Sequence, residues 1–522
     1  MKRVWAIALL AVLTLPAQAA GYDVAEKSIA DLQADMTAGR VSSQELVRAY
    51  EARIARLDPK LQSVIALNPA AMAEARALDN ARGGPGTRGP LYGIPILVKD
   101  NIETLDAMPT TAGSLALKDN VTHRDAPVIA RLRAAGAVIL GKTNLSEWAN
   151  IRSSQSISGW SAIGGLTRNP YVLDRNACGS SAGSGSAAAA SLAAAAVGTE
   201  TDGSVTCPSS IDGIAGLKPT VGLIPRTHIV PISPTQDTAG PMARNVADLA
   251  ALLTVMAGPD PSDPATAGAK TQDYISAVNS ATLKGVRLGV VRFDGGADSS
   301  VDPVFAVALA AMKQAGATIV TLPPIKVPDK IGDNELKVLL FELKASLNAY
   351  LAATPSTVKT RTLADVIAFN KATPRETALF GQDLFEKAQA TTGLHDPGYL
   401  KARADNLAYA RSTLDKLLAA NKLNALITPT SSPSWRIDVV RGDRPAGESA
   451  SVPAIAGYPH LTVPMGYVGG LPVGLSFIGP AWAEARLLAY GAAFERATKA
   501  RKPPVLLPSK EGAPEIVRAF AR

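Results

Sequence analysis

Two cysteines and four histidines are all that 522 residues offer in thiol and imidazole. Two cysteines cannot staple a chain of this length, so its stability must come from a hydrophobic core. The histidines, His123, His228, His395 and His460, stand far apart, with none of the spacings that metal ligands keep, and no metal is expected. Aromatic residues make up only 5% of the chain, and no Lys/Arg run is long enough to act as a nucleic-acid tail. A basic stripe interleaved with aromatics is missing too, which excludes the usual single-strand binding surface. The excess of 53 basic over 45 acidic residues therefore reads as a solvated surface, without a nucleic-acid partner.

Long apolar runs are also scarce, and the longest lies at the very start. Lys2 and Arg3 precede an almost wholly apolar stretch from Val4 to Leu15, and Ala17-Gln18-Ala19 supplies the small-x-small pattern of a signal-peptidase site. The apolar part is shorter than the roughly 20 residues of a spanning helix. Residues 1–19 are thus expected to be a removed signal peptide, with a mature chain from Ala20 that is exported to a periplasm or the medium. No later stretch predicts a membrane span. Without Lys2 and Arg3 the net charge falls from +8 to about +6.

What the chain does contain is 47% hydrophobic and 19% charged residues, the balance of a folded globular protein. Apolar residues recur at helical spacing from Ile29 to Leu57, broken near Gly39, where Ser42 or Ser43 could cap a second helix. A Gly83-Gly84-Pro85-Gly86 turn leads into Gly93-Ile94-Pro95-Ile96-Leu97-Val98-Lys99-Asp100, read as a buried strand with Lys99 at its end. Residues 128–141 and 307–322 each run an amphipathic helix through a glycine into a β-branched strand, and 286–293 and 425–428 read as further strands. Such αβ units imply a sheet with helices on its faces. No linker divides residues 20–522, so a single α/β/α domain is expected, with the poorly patterned stretch 259–423 as a cap or the border of a cleft.

Between Cys178 and Thr220 glycine and serine are concentrated: C-G-S-S-A-G-S-G-S-A-A-A-A, then G-T-E-T-D-G-S-V-T-C-P. Glycines in such a run let backbone N–H groups approach an anion closely. The plainer reading is tight packing, with residues 187–196 as a helix of small side chains. Gly179-Ser180-Ser181-Ala182-Gly183 fits the nucleophile-elbow pattern G-x-S-x-G, yet no strand leads into it. Gly183, Gly185 and Ala188 fit a dinucleotide fingerprint that also lacks its strand and its acidic partner. Ser356-Thr357-Val358-Lys359 fits S-x-x-K without the other penicillin-binding motifs.

Taken together, several runs carry a more specific likeness. G-S-S-A-G-S at 179–184, G-T-E-T-D-G-S at 198–204, G-L-K-P-T at 216–220 and G-I-P-I-L-V-K-D-N at 93–101 resemble the amidase signature family. G-K-T-N-L-S-E-W at 141–148, A-G-P-M-A-R at 239–244 and G-L-P-V-G-L at 470–475 extend the match in order along nearly the whole chain, densest over about 86–260. C-G-S-S, G-T-E-T-D-G-S and the leader are most similar to the bacterial peptide amidase branch.

The resemblance implies an α/β fold with a central mixed sheet covered by helices, and hydrolysis of carboxamides without a cofactor. C-terminal amides of peptides are the expected substrates. It implies Ser204 as the acylated nucleophile, Ser180 as a bridging serine after a cis peptide bond, and Lys99 as the terminal proton acceptor. The backbone N–H groups of Thr201, Asp202, Gly203 and Ser204 match an oxyanion hole. Lysine accepts a proton only when neutral, so Lys99 must be buried to bring its pKa down; an ion pair with Asp100 on a surface loop is the competing picture. Two positions depart from the family. Asp202 replaces a common glycine and must turn its carboxylate away from the developing oxyanion. Thr206 replaces a basic residue, which argues against recognition of a free carboxylate there. If the two serines meet, Cys178 and Cys207 share one neighbourhood and a disulfide between them is expected; a pair of small buried thiols is the competing reading. Within the same likeness an aryl or acyl amide hydrolase is the alternative enzyme; a non-catalytic exported binding protein is the alternative of another class.

Overall fold

The structure is a computed structural model that describes residues 21–82, 88–444, 447–512 and 514–520. The expected leader, the Ala20 start and the Gly83–Gly86 turn lie outside the described residues.

Among these residues thirteen strands follow one another in the order β1 (Val64–Leu67), β2 (Pro95–Lys99), β3 (Val138–Thr143), β4 (Trp160–Ser161), β5 (Gly165–Leu166), β6 (Ala195–Glu200), β7 (Ala215–Lys218), β8 (Thr238–Ala243), β9 (Arg287–Val290), β10 (Thr318–Thr321), β11 (Ala425–Pro429), β12 (His460–Val468) and β13 (Leu471–Ile478). Eleven of them form one sheet in the order β1-β3-β2-β6-β8-β7-β12-β13-β11-β9-β10, with β4 and β5 paired separately. The sheet is mixed: β3, β2 and β6 run parallel, as do β11, β9 and β10, while antiparallel pairs join these groups. Every residue of β2, β3, β6, β7 and β8 is buried. Burial on both faces fits continuous apolar runs such as Ile96-Leu97-Val98.

The paired helices near the N-terminus occupy Ile29–Thr37 and Ser43–Leu61, and Ser42 caps the second by accepting from Glu45 N–H. The αβ units fall at Pro127–Ala134 with β3 and at Asp302–Gln314 with β10. The alanine-rich segment differs from expectation. Its helix runs Ala182–Ala189, and Ala195 and Ala196 belong to β6. Alanine favours helix locally, but a strand slot between β2 and β8 accepts any small apolar side chain, and tertiary pairing decides.

Residues 259–423 divide in two. The first part supplies β9 and β10 to the sheet. The second forms helices Asp329–Ala352, Leu363–Ala372 and Asp383–Gln389, whose apolar faces pack together around Leu347, Leu363 and Phe385. Trp148, from the segment after β3, closes that cluster edge-on against Phe385 at 5.7 Å. No helix among the described residues is long and apolar enough to cross a membrane.

Candidate active site

The parallel strands β3, β2 and β6 end side by side, and the site forms at their carboxyl ends, where α/β sheets commonly bind ligands. Lys99 is the last residue of β2 and is fully buried. Side chains alternate along a strand, so its neighbour Asp100 faces elsewhere and accepts from Thr111 N–H at 3.1 Å. Lys99 is not in an ion pair with Asp100. Its Nζ lies 2.8 Å from Ser180 Oγ, 3.0 Å from Ser181 Oγ and 2.9 Å from Thr199 Oγ1, with the Thr199 carbonyl at 3.2 Å. All of these neighbours are uncharged. Burial therefore dominates and brings the amine down from 10.5 to about 7, against the smaller upward pull of Glu200 and Asp237.

The two serines beside Lys99 are not equivalent. Ser181 Oγ donates to the Thr199 carbonyl at 2.9 Å, so its proton is occupied. Ser180 Oγ has no such acceptor among the described residues and is free to donate toward Nζ. Ser180 follows a cis peptide bond from Gly179, and its carbonyl accepts from Ser146 N–H at 3.0 Å. The helix Ala182–Ala189 starts immediately after it and lies directly on the backbone of neighbouring segments. A Cβ on Gly183 would meet the carbonyls of Asn144 and Ser63 at 2.4 Å, so only glycine allows this approach.

Ser204 enters from the other strand. The segment after β6 turns at Gly203, whose φ of +76° is a left-handed conformation that suits glycine. A Cβ there would lie 2.3 Å from Glu448 Oε2. Ser204 is tied to the first serine segment by Ser181 N–H donating to its carbonyl at 3.1 Å. Its own hydroxyl makes no hydrogen bond among the described residues. The backbone N–H groups of Thr201, Asp202, Gly203 and Ser204 likewise have no acceptor among them, whereas those of Val205 and Thr206 are taken by Glu200 Oε2 at 2.7 and 2.9 Å. Four successive free donors beside an unengaged hydroxyl can hold an oxyanion.

The structure also joins Cys178 and Cys207 in a disulfide, Cα atoms 6.1 Å apart, which links the two serine segments a second time. The Asp202 carboxylate accepts from Ser451 Oγ at 2.7 Å, and burial pushes it up to about 6. Glu448 is pushed well above the carboxylate range by burial and by the neighbouring Asp202 and Glu200. Residues that sequence reasoning did not single out include Ser181, Thr199, Asn101 and Glu200, all lying within its motifs. Asp237 and Glu448 lie outside every motif and had no local signal.

The Amidase family profile matches residues 45–488. A probable amidase of Arabidopsis thaliana is 40% identical over 496 residues, covering 92% of each chain. The native peptide amidase of Stenotrophomonas maltophilia superposes with a TM-score of 0.86 at 49% identity, over 92% of this chain and 99% of its own. A peptide amidase solved with the competitive inhibitor chymostatin matches at a TM-score of 0.87, with the same identity and coverage. By profile, identity and fold, the chain belongs to the amidase signature family, in the branch that holds the bacterial peptide amidase, and is an amide-hydrolysing enzyme.

Proposed function

We propose that this enzyme hydrolyses the C-terminal carboxamides of peptides to the free acid and ammonia, through an acyl-enzyme on Ser204 and a Ser204–Ser180–Lys99 proton relay. The observation that carries the relay is the buried Lys99 Nζ, 2.8 Å from a serine hydroxyl whose proton has no other acceptor among the described residues. A serine attacks only if a base removes its proton. In the relay, Ser204 gives its proton to Ser180 as Ser180 gives its own to the neutral lysine. Ser204 Oγ then bonds to the amide carbon, and the carbonyl oxygen becomes an oxyanion held by the N–H groups of residues 201–204. One such donor is typically worth roughly 3 to 4 kcal/mol. Collapse of the intermediate breaks the C–N bond, with the nitrogen taking a proton back from Lys99 through Ser180. Water attacks the resulting ester by the same relay, which releases the acid and regenerates Ser204.

Likeness to the peptide amidases supports a peptide amide as the substrate. Thr206, at a place where many relatives are basic, argues against a substrate held there by a free carboxylate. Export is part of the proposal: the pattern of residues 2–19 supports it, and a disulfide suits an oxidising compartment.

Ammonia release from a peptide amide, set beside amine release from an anilide, tests the substrate class. Ser204→Ala should abolish both, and a serine-directed acylating reagent should label the parent protein once. Full turnover by Ser204→Ala would refute the mechanism.

A further inference from the structure

A cavity of about 250 Å³ opens beside Thr199, Glu200 and Thr201, and the relay does not use it. Ile229, Val230, Pro231 and Ile232 give it apolar lining. The lining also carries acceptors. Glu200 and Asn101 are 1% and 4% exposed, and each has a buried oxygen without a partner, Glu200 Oε1 and Asn101 Oδ1. The rest of each group is engaged: Glu200 Oε2 accepts from Val205 and Thr206, and Asn101 Nδ2 donates to Thr199 Oγ1 at 3.0 Å. Asp237 adds a second carboxylate, held by Thr201 Oγ1 at 2.6 Å and by Ile232 and Ser233 N–H at 2.9 and 2.8 Å. Arg226 is the one cation in the lining, and it is locked onto Asp263 through two contacts of 2.9 and 2.7 Å. Glu200, Asp237 and Asp263 outnumber Arg226, so the unmatched charge of the lining is negative.

The size and chemistry define the occupant. A closed apolar cavity of about 150 Å³ can hold benzene, so this one has room for a whole side chain. A purely apolar side chain would leave the carboxylates of the lining without a counter-charge. An acidic one would meet Glu200 and Asp237. An apolar stem with a cationic, N–H-rich head matches both the apolar residues and the excess negative charge of the lining. Position follows from the backbone: Thr201 lines the cavity and is also the first of the N–H groups assigned to the substrate carbonyl oxygen. The cavity therefore adjoins the segment that would hold the carbonyl oxygen.

We propose that this cavity receives the side chain of the residue that carries the C-terminal amide, and that it selects arginine and lysine there. The assignment rests on the peptide amide reading above. It is tested with four N-acetyl dipeptide amides ending in arginine, citrulline, leucine or glutamate, with kcat/KM read as ammonia release. Citrulline keeps the shape of arginine without the charge. The arginine amide should be about tenfold better than the citrulline amide, the value of one modest ion pair, and the glutamate amide should be the poorest. Ser262→Lys places a cation on the exposed rim of the cavity and should reduce the arginine-to-citrulline ratio several-fold in a protein whose core is untouched. Asp237→Asn should bring the ratio toward one. Equal rates for arginine and citrulline, a preference for glutamate, or a uniform fall across all four amides in Ser262→Lys would overturn the subsite while leaving amide hydrolysis in place. Failure of all four amides to release ammonia would remove the peptide amide reading, and this assignment with it.

Discussion

An ordinary lysine amine, at 10.5, is neutral in only about one molecule in 3,000 at pH 7. Buried Lys99, brought down to about 7, is neutral in about half of the molecules. Only the neutral form accepts the proton, so kcat/KM should rise about tenfold per pH unit below 7 and level off above it. The same shift acts on stability, and its sign is fixed. The unfolded chain holds the lysine proton up to 10.5 while the folded chain releases it near 7. Between these values the unfolded state binds the extra proton, so stability from this group rises with pH. At 1.36 kcal/mol per unit, burial of Lys99 costs at most about 5 kcal/mol at pH 7 and below, and almost nothing by pH 10.5. Lys99→Met removes that cost together with the activity. It should therefore be more stable than the parent at pH 7, and its advantage should shrink by about 2 to 3 kcal/mol at pH 9. Urea unfolding of both proteins at the two pH values measures this, alongside the pH profile of the parent. An advantage unchanged from pH 7 to 9, or an activity limb centred near pH 10, would refute the depressed lysine.

Three further outcomes follow from the packing. Gly203→Ala puts a Cβ against Glu448 on a left-handed residue of the oxyanion segment, so kcat should fall by about 10² to 10³, with KM moving much less; steady-state kinetics showing less than a tenfold loss would count against these N–H groups. Replacing Cys178 and Cys207 together by alanine opens a cross-link with a sequence separation of 29 and should lower the unfolding free energy by roughly 3 to 4 kcal/mol. Denaturant titration with and without reductant checks this, since the double variant should not respond to the reductant. Arg152 is fully buried, with Nε 3.0 Å from Glu147 and its guanidinium 4.2 Å from the centre of the Phe380 ring. Arg152→Met strands the Glu147 carboxyl in the interior and should cost roughly 3 to 5 kcal/mol in the same assay.

Local signals carried much of the fold. The Gly39 break with a cap at Ser42, the strand that ends at Lys99 and the two αβ units are each encoded within about fifteen residues, where periodicity and punctuation act directly. The exchange of helix for strand around 187–196 shows the limit of such signals. The same alanines serve a helix packed face-on or a strand buried on both sides, and only the neighbours β2 and β8 distinguish them. Periodicity likewise had nothing to say about the place of β9 and β10 at the end of the sheet, because sheet order is a long-range property. At the site, the motifs named Lys99, Ser180 and Ser204 through resemblance, since a separation of 81 residues between Lys99 and Ser180 carries no information about contact. Asp237 and Glu448 were invisible for the same reason, as each meets the oxyanion segment only through the fold.

These hidden carboxylates raise a question that the relay must answer, because Glu200, Asp202, Asp237 and Glu448 surround a segment meant to stabilise negative charge. Each is engaged or held back from ionising. Glu200 accepts the first N–H groups of the helix Thr206–Ile211, Asp237 accepts three donors, Asp202 accepts from Ser451, and burial favours the neutral form of Glu448. Their remaining influence falls on Lys99, where Glu200 and Asp237 oppose the effect of burial without touching the amine. A carboxylate in contact would keep the lysine charged and useless as a base. No carboxylate at all would let desolvation weaken it further, until it could no longer hold the proton taken from a serine. Carboxylates kept one layer away leave a base poised near neutrality, where proton removal and proton return to the leaving nitrogen are both within its reach.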